Sequence, residues 1–337
     1  MPEKSCAIIL AAGDGKRMRS NRPKVLTEVL FKPMLQWVMD AARRAGVQDV
    51  CVVAGHMHEM VEDFVKGKGV ECALQLERRG TGHAVMMASD FLNRHRGWNV
   101  LVLSGDAPFM SDEFIEKAYW DHVDNGRAAT VISAELADPT GYGRIVRDRR
   151  TGLVAAIVEQ KDADAETKEI REINSGTYWF QVDALLDILQ HITSDNAQGE
   201  YYLTDAIKLL IQRRKRAGAF IAGNPDMVLG ANDCVQLNRL NELARASVLH
   251  QLMLEGVEIP CRDGVIVGPD VQVGAATRIL PGTILRGNTR VGCGCVLGPN
   301  TILTDVTAGD GCVLDSVRLT GRQVAPGTVV EPAETQL

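Results

Sequence analysis

Between Leu10 and Lys24 the chain carries two glycines, Gly13 and Gly15, and then five cations, Lys16, Arg17, Arg19, Arg22 and Lys24, with no acid between Gly15 and Thr27. Glycines let a backbone turn tightly and present its N–H groups, and clustered cations beside them suit phosphate. The apolar run Cys6-Ala7-Ile8-Ile9-Leu10 ahead of the loop reads as a buried strand, and Leu35, Val38, Met39 and Ala42 within Pro33 to Ala45 fall at helical spacing. The cations therefore sit on a strand-to-helix loop. It is not a Walker loop, because Arg17 follows Lys16 and Leu10 stands where the earlier glycine belongs. It is not the dinucleotide fingerprint either, whose third glycine would fall at Met18.

A second group of residues suits a metal ion and a polar ring. Asn99-Val100-Leu101-Val102-Leu103 reads as a central strand that ends in Ser104-Gly105-Asp106-Ala107-Pro108. A carboxylate at the carboxyl end of a parallel strand faces the crevice where open α/β sheets bind ligands, and as a hard oxygen donor it suits Mg²⁺. The alternative for Asp106 is a cap on the turn before Pro108. Gly80-Thr81-Gly82-His83-Ala84 opens a helix whose amides and hydroxyl could read the edge of a flat ring, or could simply be capped. In Gly230-Ala231-Asn232-Asp233, Asp233 and Gln236 have capping-box spacing, which leaves the Asn232 amide oxygen free just outside a helix. His56 and His58 lack a third ligand at metal spacing.

These groups need a scaffold, and 337 residues provide for two domains. Apolar content of 45% and charged content of 24% suit a globular protein, and a net charge of -6 argues against nucleic acid as partner. No apolar run approaches the roughly 20 residues that span a bilayer, so no membrane partner is expected. Met1-Pro2-Glu3-Lys4 shows no signal-peptide pattern, from which a cytoplasmic location is expected. The eight cysteines form no C-x-x-C pair and read as buried free thiols, Cys293 and Cys295 as structural filling.

Strand, helix and strand alternate with short loops up to residue 103, implying a mostly parallel sheet covered on both faces. Thr130–Ser133, Gly143–Val146, Val154–Val158 and Gly176–Phe180 then read as short strands. A helix is expected from Thr204 to about Ala217, its last turn carrying Arg213-Arg214-Lys215-Arg216. Leu237, Leu240, Ala244, Val248 and Leu252 mark one amphipathic helix from Cys234 to Glu255. Beyond Pro260, Val267, Val273, Ile279, Leu285, Val291, Leu297 and Leu303 recur every sixth residue, with Val271, Thr277, Thr283, Thr289, Cys295 and Thr301 in a recurring fifth place. Such hexads build a parallel β-helix, here of roughly four coils, with a looser register after Asp305. The expected boundaries are 1–231 for the first domain, 232–257 for a connecting helix, 258–331 for the β-helix and 332–337 for a tail.

The motif L-A-A-G-x-G-x-R-M followed by Pro23-Lys24 resembles the signature of the sugar-1-phosphate nucleotidyltransferases. Gln75 with G-T-G-H-A five residues on, G-Y-G-R-I at Gly141, V-E-x-K-D-A at Val158, E-I-N-x-G at Glu172 and Q-G-E-Y-Y-L-T-D at Gln198 resemble the N-acetylglucosamine-1-phosphate uridyltransferases, in particular the N-terminal part of the bifunctional uridyltransferase/acetyltransferases. The resemblance implies a Rossmann-like, mixed, mostly parallel α/β nucleotidyltransferase domain followed by a short left-handed β-helix. It implies UTP and N-acetylglucosamine 1-phosphate as substrates and Mg²⁺ as cofactor, on Asp106 and Asn232. Arg17 and Lys24 would be catalytic. Ala11, Ala12 and Gly13 would line the nucleotide, Gln75, Gly80 and Thr81 would contact uracil, and Gly143, Glu159 and Asn174 the sugar. Ser104 departs from the Tyr that many relatives have before Gly-Asp. The resemblance covers little of the acetyltransferase half, and no histidine follows His250, so acetyltransferase activity is not expected. Packing of β-helix faces implies a homotrimer. Another nucleotide and sugar, such as dTTP with glucose 1-phosphate, a non-catalytic binding or regulatory subunit, and a hexapeptide acyltransferase stay open as alternatives.

Overall fold

The computed structural model describes residues 4–18 and 20–331; Arg19 and the expected tail 332–337 lie outside them, as does the Lys16 side chain. The chain divides into two compact units. One runs through Thr27 and resumes over Pro33–Cys234; the other takes Glu28–Lys32 and the chain from Val235 onward.

The first unit starts with β1 (Ser5–Ala11); after the cationic loop, the small strands β2 (Glu28–Val29) and β3 (Lys32–Pro33) lie in the Glu28–Lys32 segment of the second unit, apart from Pro33. Then come α1 (Met34–Arg44), β4 (Asp49–Ala54), α2 (His58–Val65), β5 (Glu71–Leu74), α3 (Thr81–Met87), α4 (Ser89–Arg94), β6 (Asn99–Ser104) and α5 (Asp112–Asp124). The second half holds β7 (Ala129–Glu135), β8 (Arg144–Arg147), β9 (Val154–Val158), α6 (Ala165–Lys168), β10 (Glu172–Gln181), α7 (Val182–Leu189), α8 (Asp205–Gln212) and β11 (Ala217–Ile221). The main sheet runs β11-β7-β10-β6-β1-β4-β5, with the β8–β9 hairpin attached to β10. Pairs β6–β1, β1–β4, β4–β5 and β7–β11 are parallel, while β10 runs against both neighbours. The sheet is thus mixed and mostly parallel, as expected.

Alternation along the strands explains the layers. Ala7, Ile9 and Ala11 of β1 and Leu101 and Leu103 of β6 face a core closed by α1, α2 and α5. Cys6 and Ile8, with Val100 and Val102, face the opposite core, closed by α3, α4, α7 and α8. A strand apolar on both faces belongs in the middle of a three-layer sandwich, and that puts the carboxyl ends of β1 and β6 side by side.

One expectation fails. The helix read from Thr204 to Ala217 ends at Gln212, where Arg214 adopts φ 60° and the chain reverses into β11. Arg213 to Arg216 therefore form an exposed turn after the helix, and Arg216 donates to the Asn125 carbonyl at 3.2 Å.

In the second unit, α9 (Cys234–Leu254) leads into three four-stranded parallel sheets that together make four turns of a β-helix. Val267, Ile279, Leu285, Leu297 and Leu303 are fully buried, as are Thr277, Thr283, Thr289, Cys295 and Thr301, so the hexad residues fill the prism. The buried threonines donate to backbone carbonyls, as Thr301 does to Leu314 at 2.7 Å, which satisfies hydroxyls that would otherwise be orphaned. The looser register has a simple cause. Ile284 pairs with Ile302, 18 residues on, but Arg290 pairs with Thr307 and Ile302 with Arg318, so later turns are one and then two residues shorter. Cys295 is buried, but Cys293, Cys234 and Cys261 are exposed, so the reading of Cys293 as filling and of all thiols as buried is corrected. The corner position of Cys293 points its side chain outward.

Candidate active site

The loop after β1 and the turn after β6 form one wall. Gly15 adopts φ 58°, and a Cβ placed on it would lie 2.9 Å from the Lys24 Cβ. Glycine here both permits the left-handed turn and lets the loop close against the stem of Lys24. Gly15→Ala should lower kcat roughly 10- to 100-fold by displacing that stem. Near-normal turnover in a folded Gly15→Ala protein would contradict this placement.

Lys24 begins a short 3₁₀ turn, Lys24–Leu26, and its ammonium sits between two oxygens. It donates to Asn232 Oδ1 at 3.0 Å, 208 positions away in sequence, and forms an ion pair with Asp106. Both charged side chains are largely buried, 13% and 15% exposed. A backbone bond explains how Asn232 arrives: the Ala231 N–H donates to the Asp106 carbonyl at 3.3 Å, and Gly230 packs close beside it. On the other side of the carboxylate, Ser104 donates from Oγ to Asp106 Oδ1 at 2.6 Å. Burial works against ionisation of Asp106, but the Lys24 ammonium and the Ser104 hydroxyl outweigh it and hold the carboxyl below its ordinary range. Ser104, which departs from the related motif, thus orients the acid.

A cavity of about 350 Å³ opens here, lined by Ala12, Gly13, Lys24, Gln75, Gly80, Thr81 and Asp106, and also by Asp14, Arg78, Ser104 and Glu200. Gly80 caps α3 at φ 103°, and a Cβ there would fall 2.6 Å from the Tyr201 carbonyl oxygen. That close approach lets the Gln198–Asp205 segment zip onto the start of α3: Gly82 N donates to Tyr201 O at 2.7 Å, and Leu203 N to Thr81 Oγ1 at 3.1 Å. Gln75 is buried and donates from Nε2 to the Gly80 carbonyl and to His83 Nδ1, both at 3.0 Å. His83 accepts that bond, so it supports Gln75; burial and the nearby Arg79 keep its pKa low.

A second cavity of about 210 Å³ shares Leu10 and Thr81 with the first and is lined by Gly143, Glu159, Asn174, Tyr178 and Thr204. The Asn174 N–H donates to the Gly143 carbonyl at 2.8 Å, and Gly143 packs against the Glu159 carboxylate. Burial pushes the Glu159 carboxyl up, only partly offset by the Thr204 hydroxyl, with the neighbouring acids Asp162, Asp205 and Glu200 adding to the rise. Its folded pKa lies above its unfolded one, so the folded state binds more protons, and this group costs stability as pH rises past the ordinary carboxylate range. Glu159→Gln should therefore raise the thermal midpoint at pH 8 more than at pH 4; an equal shift at both would contradict the burial of a charge there.

The residues read from sequence are mostly brought together. Lys24, Asp106 and Asn232 meet, and Ala12, Gly13, Gln75, Gly80 and Thr81 line one cavity while Gly143, Glu159 and Asn174 line the next. Ala11 does not line either; it is a core residue of β1, 2% exposed. Arg17 is exposed on the Lys16–Met18 turn and lines neither cavity. Sequence reasoning missed Ser104 as a donor, Arg78, which pairs with Asp14 across the mouth, and Glu200. The Gln198–Asp205 motif was the available signal for Glu200; nothing in the sequence pairs Arg78 with Asp14.

Two oxygen donors on either side of a lysine ammonium already accommodate one cation, and hard oxygens with few protein ligands suit Mg²⁺, which keeps waters and takes phosphate oxygens. Among the described residues no cluster of three His, Cys, Asp or Glu offers another metal centre.

Residues 6–225 match the nucleotidyl transferase family. The chain belongs to that family. Within it, the chain is 44% identical over 310 residues to the "Bifunctional protein GlmU" of Caldanaerobacter subterraneus subsp. tengcongensis, covering 92% of this chain and 67% of that protein. A Clostridium botulinum (strain 657 / Type Ba4) protein of the same name is 38% identical over 328 residues, 97% of this chain and 71% of its own length. The chain thus spans about two thirds of these relatives. A Bacillus anthracis structure, provisionally designated a glucose-1-phosphate thymidylyltransferase, superposes with a TM-score of 0.58 at 22% identity, over 72% of this chain and 95% of that one, which shows the shared fold. The nucleotidyltransferase class read from the loop motifs, sugar-phosphate nucleotidyl transfer, stands on these relatives together with the family match. Among the described residues no helix is long and apolar enough to cross a membrane.

Proposed function

We propose that this nucleotidyltransferase makes UDP-N-acetylglucosamine and pyrophosphate from UTP and N-acetylglucosamine 1-phosphate. The observation that carries the reading is the meeting of Lys24, Asp106 and Asn232 beside two adjoining cavities, one of a size and lining for a nucleotide, the other lined by Glu159 and Asn174. A phosphate oxygen of the sugar phosphate attacks the α-phosphorus of UTP, and the bond to pyrophosphate breaks in line. Such a transfer needs positioning and charge neutralisation more than a protein base or nucleophile.

Lys24 holds the attacking phosphate against the α-phosphate, its charge directed at the oxygens where negative charge develops. Arg17, on the exposed turn, receives the β- and γ-phosphates. Asp106 and Asn232 are the residues that would hold Mg²⁺, which when bound neutralises phosphate charge shared by the nucleotide and the sugar phosphate. Gln75, Gly80 and Thr81 present amide and hydroxyl groups to the uracil edge, with Ala12 and Gly13 along the nucleotide. Glu159 accepts from sugar hydroxyls, and Asn174 and Gly143 flank the ring.

Pyrophosphate release from each of four NTPs paired with several sugar 1-phosphates, with and without Mg²⁺, tests this. UTP with N-acetylglucosamine 1-phosphate and Mg²⁺ should be used best. Preference for dTTP with glucose 1-phosphate would overturn the substrate assignment, and release from no pair would favour a binding subunit. Acetyl-CoA consumption by the same preparation is expected to be nil. We propose that the β-helix buries its faces against two further copies in a homotrimer, for which light scattering should give three times 36.7 kDa.

A further inference from the structure

Resting on the reading of Asp106 and Asn232 as metal ligands, we propose that Lys24 is the resident cation of that site in the nucleotide-free enzyme, and that a divalent ion binds there only when a triphosphate draws the ammonium away. Three observations support it. The Lys24 ammonium already occupies both oxygens a metal would need, Asn232 Oδ1 at 3.0 Å and the Asp106 carboxylate. The other carboxylate oxygen, Oδ1, is already engaged, accepting from Ser104 at 2.6 Å. The side chain has somewhere to go, because Lys24, Gly13 and Thr81 line the same cavity of about 350 Å³.

An ammonium and a divalent ion cannot share two oxygens at contact distance, since their repulsion in a water-poor pocket is large. Lysine is suited to such an exchange: its charge is compact and rides on a flexible four-carbon stem, while its Cβ stays packed against Gly15. Triphosphate oxygens entering the cavity offer the ammonium a more highly charged partner, and the vacated oxygens then face the metal that accompanies the nucleotide. Catalytic contact of Lys24 with phosphate and loading of the metal become a single event. Free metal affinity is lowered in proportion to the fraction of molecules in which Lys24 has left the site.

Mn²⁺ binding, followed by the loss of the free-ion electron paramagnetic resonance signal, is the test, on wild type, Lys24→Met, Lys24→Gln and Asp106→Asn, each with and without UTP and with UTP–Mn²⁺ as blank. Without UTP, Lys24→Met should bind one Mn²⁺ at least ~10-fold more tightly than wild type. Lys24→Gln serves should the methionine variant not fold. The tightening should vanish when Asp106→Asn is added, and UTP should bring wild type to tight binding. Mn²⁺ should also raise the melting temperature of the lysine variants but not of nucleotide-free wild type. Equal Mn²⁺ affinity in wild type and lysine variants without UTP, abolished by Asp106→Asn, would overturn the proposal and leave the metal-ligand reading intact. No enzyme-dependent Mn²⁺ binding in any folded variant, even with UTP, would remove both.

Discussion

Lys24→Met should cut kcat for pyrophosphate release by roughly 10²–10³, the cost of removing one preorganised charge from a phosphoryl-transfer transition state. The substitution also strands Asp106, whose carboxylate would keep its burial and lose its counter-ion. Breaking such a pair costs about 3–5 kcal/mol when fully buried, and somewhat less here because both groups retain some exposure. The sign with pH follows from the depressed Asp106 pKa. A depressed carboxyl contributes stability above its unfolded pKa and loses it as pH falls through the folded value. In the variant burial is opposed only by the Ser104 hydroxyl and the backbone hydrogen bond, without the ammonium, so the carboxyl moves up from its wild-type position. The stability gap between wild type and Lys24→Met should therefore widen from pH 3 to pH 7. Denaturant unfolding at both pH values separates this from the kinetic effect, and a gap independent of pH would rule out the Lys24–Asp106 pair as its cause.

Asp106→Asn is expected to reduce turnover by a similar factor for a different reason. It keeps the shape of the side chain and one carbonyl oxygen, which can accept from Ser104 or from Lys24 but not from both, since the two hold different oxygens of the carboxylate; the near-isosteric change should leave the fold intact. What it removes is the one formal negative charge at this position, and Mg²⁺ sites built on few protein ligands depend on such a carboxylate. Steady-state rates across a Mg²⁺ titration should show a large fall in kcat and a loss of saturation at concentrations that saturate wild type. A variant that saturates with Mg²⁺ as wild type does would place the metal elsewhere.

The cationic loop, the strand before it and α1 were legible because their pattern is local: apolar period, glycine, cation, apolar period. The prism of the β-helix was legible for the same reason, since one aliphatic residue in six and a small one beside it are a direct image of a three-sided coil. Shortened turns after Asp305 blurred that image without ending it. The meeting of Asp106 with Asn232 was legible only through resemblance to a family. Its physical cause, a backbone bond from Ala231 to the Asp106 carbonyl, leaves no mark on side-chain pattern. Ser104 was read as a departure from a motif when it is a donor to the acid two residues on. The end of α8 was misread because a run of good helix formers conceals the positive φ at Arg214. Ala11 was grouped with its neighbours, yet β1 continues one residue further than a loop reading implies and turns that methyl into the core.

The central claim is that one crevice joins Lys24, Asp106 and Asn232 to carry out a metal-assisted transfer between a nucleotide and a sugar phosphate. Pyrophosphate release by wild type and Asp106→Asn, assayed side by side with UTP, N-acetylglucosamine 1-phosphate and Mg²⁺ present together and with each omitted in turn, tests it most directly. Release by wild type only when all three are present, and its near-complete loss in the folded variant, is the predicted result. Release that persists without the sugar phosphate or without Mg²⁺, or that is undiminished in Asp106→Asn, would contradict it.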